Sequence, residues 1–174
     1  MNNTTRLVLA ATICVVLAAC TKKVKEVPPS DQGPATTPVA TTGGIPDSTP
    51  GRYSPSDLDT DSCLRQRVIY FDFNEDTLRP EFQAAIACHA KYLRDRPEAR
   101  MKMEGNADER GTREYNLGLG ERRGNAVSAA VQGNGGAASQ ISVISYGEER
   151  PTCADSSDEC WSKNRRVEIV YTIK

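Results

Sequence analysis

The sequence has almost no net charge, a single histidine and no apolar run long enough to span a bilayer. Its 22 lysine and arginine residues are balanced by 23 aspartate and glutamate residues. Because this balance gives no long-range field that would attract nucleic acid, we expect no nucleic-acid partner. One histidine cannot form a histidine-rich catalytic zinc site, and we expect neither a metal nor another cofactor.

The N-terminal apolar run extends from Leu7 to Ala19 and follows the cationic Arg6. Its thirteen residues, at about 1.5 Å each, fall well short of a hydrocarbon core of about 30 Å, which favours a cleaved export signal. The run ends in Leu17-Ala18-Ala19-Cys20, which resembles a bacterial lipobox. We therefore expect residues 1–19 to be a lipoprotein signal peptide and Cys20 to be lipidated. The alternative is an ordinary secretory signal with a cysteine near the cut.

The residue after Cys20 bears on which membrane holds the protein. By the enterobacterial sorting rule, an aspartate at this position would retain a lipoprotein in the inner membrane, but the residue is Thr21. The sequence therefore favours the outer membrane, with the domain facing the periplasm. Each buried methylene of an acyl chain contributes about 0.8 kcal/mol to membrane binding, so several acyl chains on Cys20 would anchor the protein durably.

Beyond the signal and the expected lipidated Cys20, four cysteines remain: Cys63, Cys88, Cys153 and Cys160. An even number in an oxidising periplasm favours two disulfides, and three pairings are possible on paper. Cys153 and Cys160 bracket one polar loop and can meet at little chain cost, which leaves Cys63 for Cys88. The alternative, a four-cysteine zinc site, usually uses two close pairs, and here only one pair is close.

Composition divides the rest of the chain into a tether and a domain. Residues 20–55 comprise the expected lipidated cysteine and the tether. From Thr21 to Pro55 the tether is mostly Pro, Thr, Ser, Gly and Ala, with hardly any large apolar residue. Such a stretch cannot bury enough surface to offset its ordering entropy and is predicted to be disordered. Apolar periodicity begins after Pro55 and predicts one domain over residues 56–174.

Apolar periodicity in the domain predicts four strands and two helices. The strands are expected at Val68 to Phe73, around Met101 and Met103, at Ile141 to Ile144 and at Val167 to Ile173, and the helices at Phe82 to Pro97 and about Glu114 to Val131. The order βαβαββ predicts an α/β fold, an α+β sandwich in which two main helices pack on a mixed sheet.

The second predicted helix carries an arginine in its apolar stripe, because Leu119, Arg123, Val127 and Val131 lie four residues apart on one face. A guanidinium there is partly desolvated and needs a partner. Asp108, in the loop before the helix, is the candidate. A carboxylate and a guanidinium at the rim of a pocket suit the two charged groups of an amino acid. From these residues alone, a buried structural ion pair is an equally good interpretation.

Several separate segments together resemble one known family. They are Tyr70-Phe71-Asp72-Phe73, Glu104 to Asn116 (EGNADERGTREYN), Leu119-Gly120-Glu121-Arg122-Arg123, Ser145 to Glu148, and Ser162 to Val167. In order and spacing they are similar to the OmpA-like peptidoglycan-binding domain, in the version found in the peptidoglycan-associated lipoproteins of the Tol-Pal system. The resemblance covers nearly all of residues 65–171.

This resemblance implies a domain that binds the meso-diaminopimelate of uncrosslinked peptidoglycan stem peptides. The principal aspartate and arginine contacts of the family fall on Asp108 and Arg123. The other pocket residues of the family fall on Phe73, Asn74 and Leu119. Asn74 stands where many relatives have aspartate, so a carboxylate contact there is lost if the side chain does the binding.

The resemblance to the family also leads to predictions for three more positions. Asn164 and Arg165 are expected near the pocket at the start of the last strand, with an anchor for that strand as the alternative. Gly124 replaces a common alanine and is expected to loosen its helix by up to about 1 kcal/mol.

The sequence favours a binding module over an enzyme. His89 lies on the apolar face of the first helix and is predicted to be a core residue, and no free cysteine remains once the pairs form, which argues against a cell-wall hydrolase. The resemblance implies TolB, and through it TolA, as partners, and a role in drawing the outer membrane inward at cell division. The alternative is a general OmpA-like lipoprotein that binds the wall without Tol partners.

Overall fold

The computed structural model describes residues 51–174. The predicted signal peptide, Cys20 and most of the predicted tether lie outside the described residues. Residues 52–55, which composition assigned to the tether, contact the domain. The backbone N–H of Tyr53 donates to Asp95 at 2.9 Å, and its side chain packs against the core. Tyr53 therefore packs with the domain, although composition places it in the tether.

Four strands form one mixed sheet: β1 (Val68–Tyr70), β2 (Arg100–Asn106), β3 (Ile141–Gly147) and β4 (Arg166–Ile173). Their spatial order is β1-β4-β2-β3. Strand β4 runs antiparallel to both β1 and β2, whereas β2 and β3 are parallel. The last strand in the sequence thus lies inside the sheet, in an order that the sequence did not predict.

Two long helices and two short ones accompany the sheet: α1 (Asp57–Thr60), α2 (Gln83–Asp95), α3 (Arg113–Gly133) and α4 (Asp158–Asn164). The long helices and the α/β class confirm the prediction from periodicity. The short helices were not predicted, because four and seven residues are too few to show a helical period. Cys160 lies in α4, whereas the sequence placed it at the end of a polar loop.

The apolar stripes of α2 and α3 share one core with the sheet. Fully buried members include Ile86 and Leu93 of α2, Val127 and Val131 of α3, and Met103 of β2. The burial of Met103 agrees with its alternation along β2, since successive side chains of a strand point to opposite faces. This packing fixes α3 against β2 and β3, which is where the candidate site forms.

Both disulfides have the pairing expected from the cysteine spacing. The bridge from Cys63 to Cys88 spans 25 residues and ties the segment after α1 to α2. The bridge from Cys153 to Cys160 spans 7 residues and closes the segment that leads into α4. Because a cross-link restricts the unfolded chain more when its loop is longer, we expect the first bridge to stabilise the domain more than the second.

His89 is buried in the core, and both of its ring nitrogens are hydrogen-bonded. Nε2 lies 3.1 Å from the carbonyl oxygen of Gln66, which can only accept, so Nε2 carries the proton and Nδ1 accepts from the Tyr171 hydroxyl at 2.8 Å. Burial lowers the pKa of His89 to about 4; the hydrogen bond to Gln66 opposes this shift and the charge of Arg67 adds to it. The imidazole is a neutral core group, as predicted.

We expect the protein to lose stability as the pH falls from about 6.5 to about 4 because of this histidine. An unfolded histidine titrates near pH ~6.5, whereas His89 titrates near 4 in the fold, so only the unfolded chain binds the proton in this window. The difference corresponds to about 3 kcal/mol. Urea denaturation of the parent and a His89→Gln variant should show their stability difference shrinking by that amount between about pH 7.5 and pH 4. A constant difference would contradict the assignment.

Candidate functional site

Asp108 lies in the short segment between β2 and α3, which is anchored on both sides. Before it, the N–H of Ala107 donates to the carbonyl of Gly147 at 2.8 Å. After it, the hydroxyl of Thr112 caps α3 by accepting a backbone N–H. Only 4% of the Asp108 side chain is exposed. The carboxylate is therefore held in a fixed, largely desolvated position.

All acceptor positions of the Asp108 carboxylate are occupied by arginine. Arg110 donates three hydrogen bonds to it: from its backbone N–H at 3.1 Å, from Nε at 3.2 Å and from Nη2 at 2.7 Å. Arg165 donates a fourth from Nη1 at 3.2 Å. Since an ionised carboxylate has about four lone-pair sites, a further donor must displace one of these.

Burial alone would raise the pKa of Asp108. The hydrogen bonds from the side chain and backbone of Arg110 and from Arg165, together with the charge of Arg110, outweigh that effect and hold the pKa below its usual value. Asp108 is therefore ionised at neutral pH.

Arg123 lies on the buried face of α3, as the stripe predicted, with its side chain fully buried. Its guanidinium donates to three backbone carbonyls: Glu75 from Nε at 2.8 Å, Asn106 from Nη1 at 2.9 Å and Asp72 from Nη2 at 3.0 Å. The expectation that Asp108 would be its hydrogen-bonding partner is wrong. Asp108 is instead bonded by Arg110 and Arg165, and carbonyl oxygens serve the buried cation.

The bonds of Arg123 join the two segments that flank the site. One segment is the turn at 72–75, which carries Phe73 and Asn74, and the other is the end of β2, which leads to Asp108. Three of the five N–H groups of the guanidinium are used in this way, which leaves two. Burial lowers the pKa of Arg123 to about 10, with Asp108 opposing the shift and Arg165 adding to it, so the group is still charged at neutral pH.

A pocket of about 360 Å³ opens between these segments and the start of α3. It is lined by Phe73, Asn74, Asp108, Arg110, Gly111, Tyr115, Asn116, Leu119, Arg123 and Arg165. Its walls combine aromatic and aliphatic surface with a carboxylate, two amides and three guanidinium groups. Such a mixture suits a small charged ligand that also has methylene groups.

Comparison with known proteins identifies the family. Residues 70–165 match the model of the OmpA family. The peptidoglycan-associated lipoprotein of Pasteurella multocida is 33% identical over 98% of this chain and 100% of its own length. That of Haemophilus influenzae is 40% identical over 70% of this chain and 76% of its own. The chain belongs to the OmpA family and, within it, to the peptidoglycan-associated lipoproteins.

Solved structures agree with this OmpA-family membership. The peptidoglycan-associated lipoprotein of Burkholderia pseudomallei superposes with a TM-score of 0.65 and 38% identity, over 67% of this chain and 98% of that one. The C-terminal domain of Helicobacter pylori MotB gives a TM-score of 0.56 at 23% identity, over 61% of this chain and 83% of that one. The second likeness, at such low identity, shows a shared fold alone.

The family membership also confirms the prediction that the chain is not an enzyme, since the relatives are peptidoglycan-associated lipoproteins. Within residues 51–174, no group of three or more His, Cys, Asp or Glu side chains is arranged to hold a metal ion. No helix in the same part of the chain has the length and apolar character needed to cross a membrane.

The pocket of about 360 Å³ brings together six of the seven predicted ligand-binding residues: Phe73, Asn74, Asp108, Leu119, Arg123 and Arg165. Asn164 is not among its lining residues. The Asn164 side chain accepts from the backbone N–H groups of Thr152 at 2.9 Å and Cys153 at 3.2 Å, and donates to the Cys153 carbonyl at 2.8 Å. The Asn164 amide therefore satisfies the backbone of the preceding loop.

Asn74 adopts a left-handed backbone conformation with φ of 59°. Asparagine tolerates this region better than most residues, so the turn at 72–75 is compatible with its sequence. The side-chain oxygen accepts a hydrogen bond from the Tyr115 hydroxyl. This contact connects the turn to α3 across the pocket and requires no carboxylate at position 74.

Sequence reasoning missed four lining residues: Arg110, Gly111, Tyr115 and Asn116. Arg110 is the most informative, because its guanidinium lies 4.0 Å from the ring centroid of Phe73 and 4.2 Å from that of Trp161. The sequence offered one indication of this role, because Arg110 follows Asp108 by two residues and its side chain is within reach of that carboxylate. Its position between two aromatic rings was not predictable, because Trp161 comes from a helix that the sequence did not indicate.

Proposed function

We propose that this chain is a lipid-anchored outer-membrane protein that binds peptidoglycan non-covalently, through the diaminopimelate of uncrosslinked stem peptides. The observation that carries the proposal is that Asp108 and Arg123, one ionised carboxylate and one guanidinium, line the same pocket. The names of the relatives, which are peptidoglycan-associated lipoproteins, support this class of ligand.

In this proposal the ammonium group of diaminopimelate binds Asp108 in place of the Arg110 side chain. Arg110 is the donor that leaves most readily, because 31% of its side chain is exposed. Arg165 is 13% exposed and also donates from Nε to the Phe71 carbonyl at 3.1 Å, which holds it in place. The backbone N–H of Arg110 keeps its bond and still orients the carboxylate.

The carboxylate of the same ligand end binds the two N–H groups of Arg123 that the backbone carbonyls leave over. A guanidinium presents such groups as a planar fork, which matches a carboxylate. Charge-assisted hydrogen bonds contribute about 1.5 to 3 kcal/mol each, so one site has modest affinity. Many copies in one membrane facing a polymeric ligand would bind firmly through avidity.

We infer that Cys20 is acylated and that the segment up to the domain serves as a tether between membrane and cell wall. The lipobox-like sequence before Cys20 supports this, and both lie outside the described residues. The mass of the intact mature protein tests the inference, since a chain that starts at another residue or lacks acyl groups would contradict it.

We also propose TolB, and through it TolA, as partners, with a role in outer-membrane invagination at cell division and in envelope integrity. Membership of the peptidoglycan-associated lipoproteins supports this assignment. Recovery of periplasmic TolB on the immobilised protein tests it. Failure to bind TolB would favour the alternative, an OmpA-like lipoprotein that binds the wall without Tol partners.

Replacing Asp108 by asparagine is expected to weaken binding to purified sacculi by about a hundredfold or more, because truncating a buried charge partner costs several kcal/mol of binding. The substitution keeps the shape of the side chain, removes its negative charge and replaces one acceptor oxygen by an NH2 donor. Cosedimentation with sacculi, measured over a range of protein concentrations, gives the affinity.

Asp59→Asn is the matched control, since Asp59 lies on α1 outside the pocket and is 65% exposed. Thermal unfolding of both variants separates loss of binding from loss of fold. A folded Asp108→Asn protein that sediments as well as the control would show that the ligand binds elsewhere.

A further inference from the structure

A second cavity, of about 330 Å³, shares a wall with the pocket. Its lining has three aromatic side chains, Tyr70, Phe71 and Phe82, and three cations, Arg79, Lys163 and Arg165, together with Ser162. Arg165 lines both cavities. The two cavities therefore adjoin at Arg165.

Arg165 is a fixed partition between the two cavities. Its carbonyl accepts from the Phe71 N–H at 3.0 Å, and its Nε donates back to the Phe71 carbonyl at 3.1 Å. Its Nη1 is committed to Asp108 on the side of the first pocket. The spacing of the two cavities is therefore set by the backbone just after β1 and just before β4, which holds the Arg165 side chain in place.

The lining of the second cavity contains no acidic side chain. The acids that pair with its cations stand outside that lining: Glu81 lies 2.5 Å from Arg79, and Glu159 lies 2.7 Å from Lys163. Asp72 lies 3.9 Å from Arg79. Ion pairs between such exposed side chains contribute little, so a ligand carboxylate can replace them.

The aromatic side chains strengthen this preference for an anion. The Arg79 guanidinium lies 6.0 Å from the centroid of Phe82, whose ring is 6.4 Å from that of Tyr70. Apolar walls lower the local dielectric constant and strengthen charge attraction relative to open solvent. Ring faces also give a peptide backbone or methylene chain a surface on which to pack.

We propose that the second cavity is a subsite for a carboxylate carried by the same peptide whose diaminopimelate occupies the first pocket. The inference rests on the proposed function, because it needs a ligand that continues beyond the first pocket. Arg79 and Lys163 bind the carboxylate, and the aromatic rings contact the linking atoms. The domain thereby distinguishes an acidic stem peptide from one in which that acid is an amide.

Calorimetry with three probes tests the proposal on the purified mature protein. The probes are free meso-diaminopimelate, a γ-glutamyl-diaminopimelate peptide with a free α-carboxylate on the glutamyl residue, and the same peptide with that carboxylate amidated. The parent is expected to bind the acid peptide about tenfold more tightly than the amide, the effect of one charge-assisted hydrogen bond. The double variant R79Q/K163Q should lose this difference and bind free diaminopimelate as the parent does.

The control R94Q/K102Q removes two positive charges from positions that line neither cavity and should keep the tenfold preference. Equal binding of acid and amide by the parent would overturn the subsite while leaving the proposed function intact. So would a preference that persists in R79Q/K163Q. Failure of the parent to bind any of the three probes would instead contradict the proposed function itself.

Discussion

Replacing Gly105 by alanine is expected to destabilise the domain by about 4 kcal/mol or more, an extreme case of overpacking. A Cβ at this position would lie 1.9 Å from the carbonyl oxygen of Gly120 and 2.6 Å from its carbonyl carbon. Both are backbone atoms, so no rotamer change relieves the clash and α3 must move away from β2. Since natural domains are stable by about 5 to 15 kcal/mol, much of the margin would be lost.

Gly118→Ala is the matched control in the same region. Its Cβ would find only the end of the flexible Arg122 side chain, at 3.5 Å. Because alanine is favoured over glycine inside a helix, this variant should gain up to about 1 kcal/mol. Guanidinium denaturation measures both. A Gly105→Ala protein within about 1 kcal/mol of the parent would mean that α3 does not approach β2 this closely.

The close approach of α3 also changes the interpretation of Gly124. Helix propensity alone predicts that an alanine here would stabilise the helix. In the structure, a Cβ at Gly124 would lie 2.5 Å from Cγ1 of Val143 on β3, so the side chain of Val143 would have to move. Gly105, Gly120 and Gly124 together allow the helix to lie against the sheet, and that distance is a tertiary property that propensity does not contain.

The long helices, the strands and the burial of Arg123 could be predicted because each depends on a local pattern. The four-residue spacing from Leu119 to Val131 places position 123 on the core face of any helix with that sequence. The cysteine pairing was predictable for a related reason, because the short spacing of Cys153 and Cys160 leaves one economical choice. Both inferences need no knowledge of how distant segments meet.

The partners of Arg123 could not be predicted in this way. Two of the carbonyls that it binds, those of Asp72 and Glu75, lie 51 and 48 residues away in the sequence. They reach Arg123 only because β1 pairs with the C-terminal strand β4, which in turn pairs with β2. A sequence shows that a buried cation needs acceptors, but the strand order decides whether these are carboxylates or backbone oxygens.

Replacing Arg123 by methionine is expected to cost about 3 to 5 kcal/mol of stability and to abolish binding to sacculi. Methionine fills similar space but leaves the carbonyls of Asp72, Glu75 and Asn106 without their donor, and each buried unsatisfied group costs about 1 to 3 kcal/mol. Lysine should restore only part of the stability, because a single ammonium cannot match three carbonyls with the geometry of a planar guanidinium.

Arg122→Met separates this effect from the general loss of an arginine. Arg122 is the preceding residue on the solvent side of α3, pairs with Asp76 at 3.1 Å and should change stability by less than about 1 kcal/mol. If Arg123→Met proved as stable as Arg122→Met, the carbonyl contacts would have little energetic weight. If it were destabilised as expected, the three bonds of Arg123 would hold the turn bearing Phe73 and Asn74 against the segment that bears Asp108. This structural role would come in addition to the ligand contact proposed for its two remaining N–H groups.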